Sequence, residues 1–264
     1  MTQIAFIGGG NMGFALAVGV RQARPEDTIV VADPIAAQRE RFTVQGIATT
    51  AVNVEATEHA DVVVFAVKPQ IAEEVVKALR PTLDGKLVIS IIAGTPLAKL
   101  NSWLGSKAAV IRCMPNTPAL INLGITGMLS NDVATPQHRE LAEAILAVCG
   151  IVVWFDSDDD LDKVTALSGS GPAYFFYVIE ALVAAGENLG LARDTAMQLV
   201  SQTAVGAAAM ASQSSGDPSQ LRERVTSPGG TTEAALKCLN SEHVEAAFMA
   251  AIESAYRRAK ELSK

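Results

Sequence analysis

The chain has 264 residues, of which 49% are hydrophobic and 19% charged, with a formal net charge of −7. That length suits one large domain or two smaller ones, and the apolar content excludes a disordered chain. The acidic balance argues against a nucleic-acid or anionic-membrane partner.

The first ten residues, MTQIAFIGGG, carry no basic stretch and no long apolar run before the glycines, so no secretory signal is expected. No run of about 18 uninterrupted apolar residues occurs anywhere, so no membrane-spanning helix is expected. Cys113, Cys149 and Cys238 have no CxxC spacing, which points to a reducing cytoplasm with neither a disulfide framework nor a metal site.

Four β-rich runs lie at 3–8, 28–33, 61–67 and 87–93, dominated by Val and Ile without clean alternation. This is the pattern of parallel strands buried on both faces. Helical patterns at 11–23, 34–44 and 70–80 separate them, and such alternation predicts a Rossmann-like doubly wound α/β domain. Further strands are expected at 109–115, 124–130 and 151–156, with a helix near 136–149.

The run IGGGNMG contains Gly8-x-Gly10-x-x-Gly13, and Asp33 closes the next strand 20 residues after Gly13. A strand before the motif, a helix after it and an acid at that distance form a dinucleotide fingerprint. Gly8 permits the tight turn, Gly10 lets a pyrophosphate approach the backbone, and Gly13 lets helix and strand pack closely. Asn11 and Met12 lie within the same turn. An aspartate at position 33 favours the ribose hydroxyls of NAD over the 2′-phosphate of NADP. Arg39 and Arg41 follow it, either reaching a phosphate or lying on solvated helix surface, so both cofactors remain open. Three more strand ends carry turn residues: AVKPQ with Ala66, Val67, Lys68 and Pro69; AGTP beginning at Ala93; and RCMPNTP with Asn116. Together they would line a cleft above the nicotinamide.

After Asp156 the acidic junction SDDDLD (157–162) leads into helical sequence at 172–190, 193–213, 231–239 and 242–262, with a turn at 214–219. The division expected is a dinucleotide-binding domain over 1–157 and an all-α domain over 158–264. The long helices are rich in Ala and Gly and carry little bulky apolar surface, so they are expected to close their core against a second copy of the chain. Two segments place small or hydroxyl residues at a helix start. LSGSGPAYFF (167–176) reads as either a cap or a ligand site. VTSPGGTTEAAL (225–236) has more glycines and threonines than a cap needs and reads as an anion site.

These motifs, in this order, resemble the pyrroline-5-carboxylate reductase family. The resemblance covers essentially the whole chain and rests on IGGGNMG, AVKPQ, RCMPNTPAL, LSGSGPAY and, most specifically, VTSPGGTTEAAL. It implies reduction of 1-pyrroline-5-carboxylate to L-proline by NADPH or NADH, the last step of proline biosynthesis. It also implies a helical C-terminal domain that interlocks in a homodimer, with assembly above the dimer left open. By the same resemblance Gly230, Thr231 and Thr232 bind the substrate carboxylate. Asn53 lies near the adenosine ribose, and Asp158 is the acidic residue near bound proline. Asp33 departs from members with a small or hydroxyl residue there, which leaves the family's usual NADPH preference open.

The implied chemistry needs no strong acid, because the substrate imine can take its proton from solution. Orientation is then the main task. Thr232 either hydrogen-bonds the ring nitrogen or only positions the carboxylate. None of His59, His138 or His243 lies in a motif. The alternatives are another NAD(P)-dependent imine or β-hydroxyacid oxidoreductase, for which Lys163 is poorly placed, and a non-catalytic dinucleotide sensor.

Overall fold

The structure is a computed structural model that describes residues 1–105, 107–214 and 216–263. It divides into two compact units. The first runs from Met1 to Ser170 and takes in the residues from Ala255 on, and the second is Gly171–Ser254.

The first unit is built on one eight-stranded sheet of β1 (Gln3–Ile7), β2 (Thr28–Ala32), β3 (Ala48–Thr50), β4 (Val62–Phe65), β5 (Leu87–Ser90), β6 (Ala109–Met114), β7 (Gly124–Ser130) and β8 (Gly150–Trp154). The spatial order is β3-β2-β1-β4-β5-β6-β7-β8. The first six are parallel and give the dinucleotide-binding order, reversing direction of growth at β1. β7 then runs antiparallel to β6, with β8 parallel to β7. The sequence signals both strands but not their direction.

The central strands β1, β4, β5 and β6 are covered on both faces, which explains why they read as continuously apolar, whereas the edge strands β3 and β8 are partly exposed. On one face Ile4, Phe6, Val31, Val64, Ile89 and Ile111 pack with Leu16 and Val20 of α1 (Asn11–Ala23) and Ile145 and Leu146 of α6 (Pro136–Leu146). The other face sets Ala5, Ile7, Val63, Phe65, Val88 and Val110 against α4 (Pro69–Leu79) and α5 (Leu97–Leu104). Burying a Val, Leu, Ile or Phe side chain in this way contributes about 1.5–3 kcal/mol. The helix starts follow local rules. Pro69 is the first residue of α4, where its missing N–H costs nothing. Thr135 caps α6 by accepting the His138 N–H, while its own N–H donates to His138 Nδ1, 3.2 Å away.

Short elements complete the unit: α2 (Ala36–Thr43), α3 (Asn53–Thr57) and α7 (Asp158–Val164), the last followed by a π-helical turn over Thr165–Gly169. The acidic junction is thus a helix. Ser157 caps it, and Asp158, Asp159 and Asp160 fill its first turn, where the helix dipole favours negative charge.

The second unit contains α8 (Gly171–Asn188), α9 (Arg193–Gln213), α10 (Pro218–Arg224), α11 (Thr231–Ser241) and the start of α12 (Val244–Leu262). α8 and α9 pack together, close enough that a Cβ on Gly186 would stand 3.0 Å from that of Ala196. The turn expected at 214–219 gives way to helix at Pro218, with Asp217 as the cap; Ser215 lies outside the described residues. Only Gly171, Val183 and Ala196 are buried among the described residues of this unit. No helix among the described residues is long and apolar enough to cross a membrane.

Candidate active site

The glycine turn sits at the carboxyl end of β1. Gly8 has φ of 105°, and a Cβ there would lie 2.7 Å from the Ala66 carbonyl oxygen. A Cβ on Gly13 would lie 2.6 Å from the Gly8 carbonyl. Both positions exclude any larger side chain on steric grounds. Gly10 differs, since a Cβ there would meet nothing within 4 Å. It faces the open side of the turn and is the N-cap of α1, which has no side-chain cap. The first N–H groups of that helix, at Asn11, Met12 and Gly13, have no acceptor within the helix. An open glycine with uncapped N–H groups behind it fits the pyrophosphate of a dinucleotide.

Around the turn, the strand register gathers the other sequence-marked positions at one sheet edge. Ile7 pairs with Ala32 and with Phe65, so Gly8, Asp33 and Ala66 are neighbours. The Asp33 carboxylate, buried, accepts the Gly9 N–H at 2.7 Å and the Ile35 N–H at 2.8 Å. Asn53 begins α3, half-buried, after the edge strand β3 that pairs with β2. Val67 leads into Lys68, the N-cap of α4; this lysine is exposed and makes no ion pair with any described residue. Ala93 is exposed three residues beyond β5.

Asn116 lies beyond β6 with both ends of its amide engaged. Its oxygen accepts the Ile125 N–H at 2.9 Å, and its nitrogen donates to the Ser168 carbonyl at 3.2 Å. It fastens β7 and the π-helical turn of the SGSGPAY motif to the end of β6. Among the described residues no buried side-chain polar atom lacks a partner.

Asp158 belongs to a buried charge cluster that centres on Arg112. Its carboxylate accepts the Leu97 N–H at 3.1 and 3.2 Å and Arg112 Nη1 at 2.6 Å. Arg112 is 2% exposed and also donates to Asp162 at 3.1 Å, which in turn accepts the Ser263 hydroxyl at 2.9 Å. Arg112 and Asp162 escape the motif reading. Their signal is present all the same, because an arginine inside the apolar strand AVIRCM needs a buried anion. Beside them Asp159 accepts the Tyr256 hydroxyl at 2.6 Å, and the Lys260 and Lys163 ammonium groups at 2.9 and 3.0 Å. The tyrosine first, then the two lysines, hold its carboxyl well below the usual range.

Gly230, Thr231 and Thr232 lie in the second unit, where they start α11. Gly229 turns the chain with φ of 71°, and Gly230 is an N-cap without a side-chain cap. Glu233 folds back to accept the Gly229 N–H at 2.6 Å, and that bond, with Lys237 second, lowers its carboxyl pKa. The threonine hydroxyls make no bond to any described residue, which leaves donors and hydroxyls together at this helix start.

Two family descriptions match: "Pyrroline-5-carboxylate reductase dimerisation" over residues 158–262 and "NADP oxidoreductase coenzyme F420-dependent" over residues 3–94. The chain is similar to the pyrroline-5-carboxylate reductase of Pseudomonas aeruginosa, 46% identical across 99% of this chain and 97% of that protein. Among solved structures it resembles a pyrroline-5-carboxylate reductase from Coxiella burnetii at 42% identity, with a TM-score of 0.94 over 100% of this chain and 99% of that one. The Plasmodium falciparum pyrroline carboxylate reductase with NADP bound gives 32% identity and a TM-score of 0.89, over 100% and 98% of the two chains. By sequence over its full length and by fold, the chain belongs to the pyrroline-5-carboxylate reductase family.

Proposed function

We propose that this chain reduces 1-pyrroline-5-carboxylate to L-proline with NADH or NADPH, the last step of proline biosynthesis. Beside family membership, the observation that carries this is the presence in one chain of two uncapped, glycine-led helix starts, at Gly10 and at Gly230. One suits a pyrophosphate and the other a carboxylate. The bound dinucleotide supplies the hydride.

The chain's own residues bind and orient. Gly8 to Gly13 hold the pyrophosphate on backbone N–H groups. Asp33 and Asn53 face the adenosine ribose, and the strand ends at Ala66–Pro69, Ala93 and Asn116 shape the remaining wall. Gly230, Thr231 and Thr232 take the substrate carboxylate through the Thr231 and Thr232 N–H groups and the threonine hydroxyls, while the Gly230 N–H donates to the Ser227 carbonyl at 3.0 Å and fixes the turn. The Thr232 hydroxyl also bonds the ring nitrogen, steadying it as imine becomes amine. Asp158 is a positioning residue in this reading, since its carboxylate is committed to Leu97 and Arg112.

Residues 1–157 form the nucleotide-binding region, and 158–264 the substrate and dimerisation region; a family match beginning at residue 158 supports that division. The helical region pairs with a second copy, which accounts for Phe175 at 71%, Val205 at 64% and Met249 at 68% exposure in the single chain. A cytoplasmic location fits three free thiols.

Incubating the purified protein with pyrroline-5-carboxylate and either reduced dinucleotide should yield proline; failure with both overturns the reading. Thr232→Ala removes one hydrogen bond to a charged group, worth about 1.5–3 kcal/mol, and should lower kcat/KM about 10- to 150-fold. A rise in KM alone means positioning, and a fall in kcat adds the ring-nitrogen role. An unchanged kcat/KM would remove the substrate role of this turn.

A further inference from the structure

The adenosine end of the nucleotide site carries a carboxylate, and its placement bears on which dinucleotide the enzyme uses. This inference rests on the dinucleotide reading above. Asp33 follows β2, the strand end at which the ribose lies in this sheet order. Its carboxylate is fixed between two backbone donors, with the Gly9 N–H at 2.7 Å on Oδ2 and the Ile35 N–H at 2.8 Å on Oδ1. Those bonds span the glycine turn and the β2–α2 loop, so the group cannot swing aside without leaving the buried Gly9 N–H unmet. Each oxygen retains a second lone pair, enough to accept one ribose hydroxyl apiece.

Among the described residues, no lysine or arginine makes an ion pair with the Asp33 carboxylate. Arg39 comes nearest in sequence, but its Nη1 donates to the Asp33 backbone carbonyl at 2.7 Å. Arg41 donates to Gln38 Oε1 at 2.8 Å and lies over the Phe14 ring, 4.4 Å from its centroid. Phe42 is fully buried beside the same turn, where a Cβ on Gly9 would approach its ring to 3.0 Å. A 2′-phosphate entering here would bring like charge against a held carboxylate.

We propose that Asp33 selects NADH over NADPH in this chain, accepting the 2′- and 3′-hydroxyls of the adenosine ribose and repelling a 2′-phosphate. The test is the dissociation constant of each reduced dinucleotide for the wild-type protein, measured by calorimetry without substrate. NADH should bind about tenfold or more tightly than NADPH, a gap of roughly 1.4 kcal/mol or more. Asp33→Ser should narrow or invert that ratio, chiefly by tightening NADPH. Asp33→Asn, which removes the charge at nearly constant shape, should shift it the same way if the serine variant folds poorly. Equal or tighter NADPH binding by the wild type overturns the proposal and leaves the dinucleotide reading intact. So does a tenfold loss of NADPH alone in Arg39→Ala, since the arginine would then be a phosphate ligand. Binding of neither dinucleotide overturns both readings.

Discussion

Along β1 of the nucleotide unit, Ile4 and Phe6 point to one face and Ala5 and Ile7 to the other, none more than 1% exposed. In the first turns of α8, Phe175, Phe176 and Tyr177 are 71%, 65% and 71% exposed. The two runs are equally apolar, yet one chain buries only the first. The difference lies in architecture. A parallel sheet with helices on both faces closes its core within one chain, whereas a helical hairpin of Ala- and Gly-rich helices has too little bulk to do so. Burial of the second unit therefore depends on protein concentration, as that of the first does not.

The largest expected effect tests the self-contained half. Phe65→Ala opens a cavity between β4 and the α4–α5 layer and should cost about 3–5 kcal/mol, independent of protein concentration in chemical denaturation. Leu199→Glu comes next. On a free helix surface this change at a 56% exposed site would be worth within about 0.5 kcal/mol. Against a second copy it buries a charge, and the dimer dissociation constant in sedimentation should rise roughly a hundredfold or more. A dimer as tight as wild type would place this face outside the interface and blunt the contrast.

Gly10→Ala is smaller and separates folding from binding. The new methyl meets no protein atom within 4 Å, so the melting temperature should hold, while dinucleotide affinity falls about tenfold or more as the methyl enters the phosphate space. Gly13→Ala, driven to 2.6 Å from the Gly8 carbonyl, should lose both.

The smallest effect concerns acid stability. Asp159 has its pKa lowered in the folded protein, by the Tyr256 hydroxyl first. Its contribution is therefore present above the ordinary carboxylate pKa of 3.8 and is lost as pH falls below that towards the folded value. Tyr256→Phe should lower stability slightly at neutral pH, and the difference from wild type should shrink as pH falls below 3.8. A variant as stable as wild type at neutral pH, or one whose deficit persists undiminished in acid, would show that this tyrosine does not act through the Asp159 carboxylate.

Long runs of helix-forming residues and buried apolar strands are legible in the sequence: α9 falls at 193–213, as its composition predicts although only Ala196 of it is buried in the single chain, and the strands of the central sheet lie within a few residues of their expected bounds. Short elements are not. β3 spans only three residues at a sheet edge, and α10 buries nothing, so neither produces a periodicity. α5 does bury Leu97, Leu100 and Leu104 at helical spacing, but it follows Gly94 and Pro96 and reads as the continuation of a loop. At the site, the glycine turn announces itself because its chemistry is local. The bond from Gly9 to Asp33 spans 24 residues, and the one from Arg112 to Asp162 spans 50. Such pairs exist only once the sheet has brought strand ends together, which is why the amide brackets of Asn116 and the Arg112 cluster are invisible until then.

The closing contacts of the nucleotide unit come from far along the chain: Tyr256 and Lys260 reach Asp159, Ser263 reaches Asp162, and Leu262 lies against Gly94. On the ribosome, the sheet from β1 to β8 emerges well before any of them. The whole Gly171–Ser254 unit must be synthesised in between, an interval on the order of ten seconds at about 5–20 residues per second. During that interval α7 holds its four aspartates with Arg112 and Lys163 in place but without Tyr256, Lys260 or Ser263. A nascent chain stalled at Ser254 should thus present a formed nucleotide sheet whose acidic helix is still open, more readily cut by protease over residues 158–170 than the finished protein.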